Sequence, residues 1–98
     1  MAHSVTTTDL YEATYYLLGG CRLEAIETVR LGGAVSCRLT FRGEKLPGLQ
    51  SEYFAGEATV PLLPFRRSFG QINALIYSTK KKARSRLKRE RREAGGAP

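Results

Sequence analysis

From Leu10 to Leu18 the apolar residues Leu10, Ala13, Tyr15, Tyr16, Leu17 and Leu18 recur at the spacing of one broad helical face. Asp9 stands where an N-cap belongs, and Glu12 three residues later completes capping-box spacing. Gly19-Gly20 supplies the left-handed conformation that ends many helices. The pattern then changes period. Leu23 and Ala25 share one face of an extended segment over Arg22 to Leu31, and Val29 and Leu31 continue it. Glu27 breaks the phase, and a bulge near Ala25-Ile26 restores it. After Gly32-Gly33 the alternation is clean: Val35, Cys37, Leu39 and Phe41 point one way, Ser36, Arg38, Thr40 and Arg42 the other. The two segments read as an antiparallel hairpin. A three-residue loop over Gly32, Gly33 and Ala34 pairs Leu31 with Val35 and Val29 with Cys37.

Beyond a loop over Gly43 to Pro47, the residues Leu49, Tyr53 and Phe54 return to helical spacing, and Gly56 closes a short helix over Pro47 to Ala55. Glu57 to Leu63 is extended, because Pro61 and Pro64 bias Val60 and Leu63 away from helix. This segment can add a third, edge strand. From Pro64 onward Phe65, Phe69, Ile72, Ile76, Ala83 and Leu87 form one helical stripe flanked by Leu75 and Tyr77. The stripe thins after Tyr77, so the helix docks up to that point and projects beyond it, and residues 94–98 fray. The expected fold is α+β in the order helix, β-hairpin, short helix, edge strand, long C-terminal helix. Both long helices pack on Leu23, Val29, Leu31, Val35, Cys37, Leu39 and Phe41.

Charge divides the chain in two. Residues 1–79 carry seven Lys or Arg against seven Asp or Glu, whereas residues 80–98 carry nine against Glu90 and Glu93. The entire net charge of +7 therefore belongs to the C-terminal segment. This sets a neutral α+β domain (1–79) beside a basic helical or disordered extension (80–98), an asymmetry typical of an interaction arm. The cations are Lys80, Lys81, Lys82, Arg84, Arg86, Lys88, Arg89, Arg91 and Arg92. Those at 80, 81, 84, 88, 91 and 92 favour one side of a helix, away from Ala83 and Leu87. They repel one another, and phosphates would neutralise them with release of counterions, the source of most sequence-independent nucleic-acid affinity. Backbone contact with little sequence specificity is the expectation. Arg66 and Arg67 can extend the basic surface onto the domain, or pair with Glu57 or Glu52.

Tyr11, Tyr15, Tyr16, Tyr53 and Tyr77 offer stacking surfaces for bases, although tyrosines on helices usually pack their rings against a core. Tyr11 and Tyr15, four apart, are the pair expected to face outward together. Catalysis is not expected. His3 is the single histidine, in a terminus expected to be disordered; Asp9 serves as a cap; Cys21 and Cys37 have no histidine to activate them. No metal or cofactor site is indicated, and the two distant cysteines predict no disulfide. No apolar run approaches the roughly 18 residues of a membrane span, and Met1-Ala2-His3-Ser4 lacks a signal layout, which points to the cytoplasm without membrane attachment. The alternatives to nucleic-acid binding are a small interaction subunit, docked in a larger assembly or a homo-oligomer through Leu62, Leu63, Phe65 and Phe69, and a regulator of a nucleic-acid enzyme.

The run Asp9-Leu10-Tyr11-Glu12-Ala13 with Tyr15-Tyr16-Leu17-Leu18, then Gly20 and Leu23-Glu24, resembles the start of a small uncharacterised domain family of bacteria and their phages. Glu52-Tyr53-Phe54-Ala55-Gly56 and Phe65-Arg66-Arg67 are similar to its later part. The resemblance covers about residues 6–82. It implies a small α+β fold in a phage or mobile-element setting and supplies no catalytic residues.

Overall fold

The computed structural model describes the backbone of residues 3–95, and the side chains of all of these except Leu31, Leu87 and residues 90–95. Its elements are β1 (His3–Thr7), α1 (Leu10–Leu18), β2 (Arg22–Leu31), β3 (Ala34–Gly43), α2 (Leu46–Phe54) and α3 (Leu62–Gly95). The three strands form one antiparallel sheet in the order β1-β3-β2. The fold is α+β, as the periodicity predicts.

The third strand is not the one expected. Residues 57–61 have no regular secondary structure. Pro61 has no N–H to donate to a ladder, and the second edge of β3 is already filled by β1, whose register runs from His3 opposite Gly43 to Thr7 opposite Leu39. His3 thus belongs to a strand rather than to a disordered terminus. Val5 and Thr7 stand opposite Phe41 and Leu39 on the core face, while the Oγ1 atoms of Thr6 and Thr40 lie 2.9 Å apart in a hydrogen bond on the outer face.

The hairpin turn is also one residue shorter than predicted. Leu31 pairs with Ala34, leaving Gly32 and Gly33 as a two-residue turn with φ of 57° and 87°. Positive φ at both central residues matches the twist of a hairpin and favours Gly-Gly. Moving the register by one residue changes face membership. Val29 falls opposite Ser36, and Thr28 rather than Val29 opposes Cys37. Val29 therefore leaves the core face assigned to it, and Leu31 is placed opposite Ala34 instead of Val35. A register shift between Leu23 and Ala25, slightly before the bulge the pattern called for, keeps Leu23 opposite Phe41 and places Ile26 opposite Leu39. The inserted Glu24 bonds Arg42 on the outer face at 3.1 Å.

α1 has the predicted bounds. Asp9 Oδ1 accepts from the Tyr11 and Glu12 amides at 2.9 and 3.3 Å. At its C-terminus the Cys21 amide bonds Tyr16 O and the Gly20 amide bonds Leu17 O, with Gly20 at φ 90°. Glu12, however, does not complete a capping box. It is buried, accepting from Thr7 Oγ1 at 2.7 Å and from the Tyr16 hydroxyl at 2.5 Å. The Asp9 amide turns instead to Thr7 Oγ1 at 3.0 Å. α2 begins and ends one residue before its predicted limits, and α3 begins two residues before Pro64.

Ala13, Tyr16, Leu39, Phe41, Leu46 and Ile72 are completely buried, and Tyr15, Cys21, Cys37 and Ile76 nearly so. Helices α1 and α3 lie on one face of the sheet and against each other. The opposite face is polar and carries the Arg38–Glu27 and Arg42–Glu24 pairs. Both thiols are free and buried. The long dimension of 59 Å follows from α3, whose 34 residues span about 51 Å at 1.5 Å per residue.

Candidate nucleic-acid interface

α3 crosses from the neutral to the basic part of the sequence without interruption, and the segment expected to fray remains helical through Gly95, with residues 96–98 outside the described part. Its core stripe runs through Ile72 and Ile76, and burial persists at half strength through Thr79, Lys80 and Ala83, past the Tyr77 limit inferred from residue size. Lys81, Lys82, Arg84, Ser85, Arg86, Lys88 and Arg89 are exposed. The positions of Arg91 and Arg92 are on the helix, but their side chains lie outside the described ones.

The exposed cations border two open grooves along α3. One, of about 730 Å³, is lined by Asn73, Tyr77, Lys80, Lys81, Arg84 and Lys88, among others. The second, of about 300 Å³, is lined by Lys81, Lys82, Ser85, Arg86 and Arg89. Lys81 and Ser85 belong to both and form the ridge between them. The one-sided arrangement seen in the cation spacing therefore covers only part of the charge, since Lys82, Arg86 and Arg89 make a second row.

The ion pairs among the described residues are Arg38–Glu27 and Arg42–Glu24, both on the sheet. None of the described cations of α3 is neutralised by a carboxylate of the described chain. Arg66 and Arg67 are exposed and take part in neither pair. Glu52, one of their expected partners, instead accepts from the Tyr15 hydroxyl at 2.6 Å. Arg66 lies eighteen positions before Arg84, about 27 Å along the axis, so the structure does not bring Arg66 and Arg67 together with the C-terminal cations.

The aromatic candidates separate sharply. Tyr15 and Tyr16 are buried, which overturns the expected outward pair of Tyr11 and Tyr15. Burial, then the hydrogen bond to Glu12, pushes the Tyr16 hydroxyl far above its ordinary pKa; for Tyr15 the bond to Glu52 is the larger cause and burial the lesser. Tyr53 is pushed up to about 12 by burial and by its bond to Asp9. Tyr11 is 61% exposed, with its ring stacked on Phe69 at 5.3 Å and 11°. Phe65 stacks on Phe69 in turn at 6.3 Å. Tyr77, assigned from sequence to the margin of the core stripe, is 69% exposed and stands inside the larger basic groove. Asn73 and Ser85 also line these grooves. Neither is flagged by charge; only helical position places them there, Asn73 eleven residues before Arg84, as Tyr77 is seven before it, and Ser85 directly after it.

Elsewhere, burial pushes the Cys21 thiol up, against a smaller opposing effect of Lys45, which disfavours a nucleophilic thiolate. Among the described residues no three His, Cys, Asp or Glu side chains converge as a metal site. Among them also, no helix is long and apolar enough to cross a membrane. Compared with family models, curated proteins and solved structures, the chain finds no match in any of the three.

Proposed function

We propose that this chain is a non-catalytic, cytoplasmic nucleic-acid-binding accessory protein that uses α3 to contact the phosphate backbone. The observation that carries this reading is the presence of Lys80, Lys81, Lys82, Arg84, Arg86, Lys88 and Arg89 on one helix without carboxylate partners among the described residues. Cations so close together gain most from a polyanion, because each neutralised phosphate releases condensed counterions. Arg91 and Arg92 add charge further along the helix. The test is a titration of generic DNA and RNA over a salt series, with the full chain and with residues 80–98 deleted. A steep salt dependence that disappears with the deletion supports the proposal. Binding that is insensitive to salt, or that survives the deletion, refutes it.

A second reading, a subunit of a phage or ribonucleoprotein assembly, draws on the apolar start of α3. Leu62 and Leu63 are 79% and 62% exposed, next to the half-buried Phe65 and Phe69. Phe54, 68% exposed, adds to the apolar surface of the chain. Sedimentation separates the two readings. A protein that self-associates and ignores nucleic acid supports the second; a monomer whose size changes only with nucleic acid supports the first.

A further inference from the structure

We infer that the ligand of α3 is duplex DNA, with the helix lying in the major groove and one row of cations reaching each strand. This rests on the nucleic-acid reading above and narrows it to a ligand class.

Lys80, Arg84 and Lys88 follow one another at four-residue intervals and line the larger groove. Lys82, Arg86 and Arg89 line the smaller one at intervals of four and three. At about 100° per residue the two rows stand roughly half a turn apart around the helix axis. Lys81 and Ser85 sit between them on the shared ridge, and the half-buried Ala83 sits on the opposite side, toward the domain. A single strand can follow only one row at a time and leaves the other unneutralised. Two strands flanking the helix neutralise both together.

The dimensions select the duplex. A helix with its side chains is about 10–12 Å across, close to the roughly 12 Å width of the B-DNA major groove and about twice the width of the minor groove. The major groove of duplex RNA is too deep and narrow for such entry. Because the ridge faces away from Ala83, the sheet and the other helices stay outside the groove when the ridge points to its floor. Lys81 and Ser85 approach the base edges there, without the Asn or Gln that would specify adenine; Lys81 alone can donate to guanine, and Ser85 does not discriminate between bases. The contact is accordingly a positioning one, with little sequence preference.

The experiment measures the full chain by fluorescence anisotropy on a short DNA duplex, an RNA duplex of the same sequence and the single DNA strand. Two triple variants accompany it: Lys80→Gln with Arg84→Gln and Lys88→Gln, and Lys82→Gln with Arg86→Gln and Arg89→Gln. DNA duplex is expected to bind at least about tenfold tighter than the other two ligands, and each triple variant to lower the salt slope by about three, at about 0.9 per lost phosphate contact. As a check that needs no variant, methyl green, a major-groove ligand, should displace the protein while the minor-groove ligand netropsin should not. Equal affinity for the single strand or RNA duplex, loss confined to one row, or displacement by netropsin alone overturns the groove assignment while leaving backbone binding in place. Absence of salt-dependent binding to every ligand overturns both.

Discussion

Tyr53 donates its hydroxyl hydrogen to Asp9 Oδ2 at 2.7 Å, joining residues 44 positions apart. The other carboxylate oxygen of Asp9 is the N-cap of α1. A crossed partner bond runs from Tyr15 in α1 to Glu52 in α2 at 2.6 Å. Two tyrosine–carboxylate bonds thus clamp α2 to α1, and one of them shares its acceptor with a helix terminus.

Replacing Asp9 consequently disturbs both features. Asp9→Ala removes the acceptor for two amides and for the Tyr53 hydroxyl, and should cost about 2 kcal/mol in urea unfolding. Asp9→Asn keeps a side-chain oxygen for the amides and should cost well under half as much. Equal losses for Ala and Asn would show that the cap contributes little.

The clamp, together with the Tyr16–Glu12 bond inside α1, predicts loss of stability in alkali. Tyr15, Tyr16 and Tyr53 all have pKa values above the ordinary value of about 10, Tyr53 near 12. The folded state therefore holds these protons more tightly than the unfolded chain. Their contribution is fully present below pH of about 10 and is lost as pH climbs through the folded values. Urea midpoints should decline slightly where the Cys21 thiol, also pushed up by burial, ionises in the unfolded chain, and fall more steeply above pH of about 10 as the tyrosines ionise. Tyr53→Phe should be less stable at neutral pH but show a shallower alkaline decline.

Glu12 is a buried carboxylate held by two hydroxyls, Thr7 from β1 and Tyr16 from its own helix. Glu12→Ala leaves both hydroxyls without that acceptor and opens a cavity, and should cost about 3 kcal/mol. Tyr16→Phe leaves the Glu12 side chain with one donor fewer and should cost about 1–3 kcal/mol. Chemical denaturation of each variant checks the order. A neutral Glu12→Ala would mean that β1 is not anchored through this side chain.

The hairpin turn gives a prediction of opposite sign at adjacent glycines. Gly32 has the φ of a left-handed residue and open space where a Cβ would go, a position that suits Asn in a type I′ turn. Gly32→Asn should be neutral or stabilising by up to about 0.5 kcal/mol, through a less flexible unfolded chain. Gly33→Val places a β-branched residue at φ 87° and should cost about 1–2 kcal/mol. Thermal unfolding of both variants decides it.

Features set by neighbouring residues were legible along the chain. Asp9 and Gly20 bracket α1 because a cap and a left-handed terminus satisfy groups only a few residues away. β3 announces itself because its alternation reflects one buried and one wet face. The confinement of +7 to residues 80–98 is equally a property of composition. The second cation row is not legible in the sequence for a different reason: Lys82, Arg86 and Arg89 look like scatter until the helix axis and its inward side are known.

Pairings between distant residues needed the folded chain. Val5, Thr6 and Thr7 are β-branched and hint at a strand, yet only the free edge of β3 makes β1 one. Glu12 has the spacing of a capping residue, but Thr7 and Tyr16 capture it once β1 is in place. Tyr15 looks exposed until α2 delivers Glu52. Local torsional preference and hydrophobic period are written in adjacent residues. Which donor meets which acceptor depends on how the assembled elements share the same small interior.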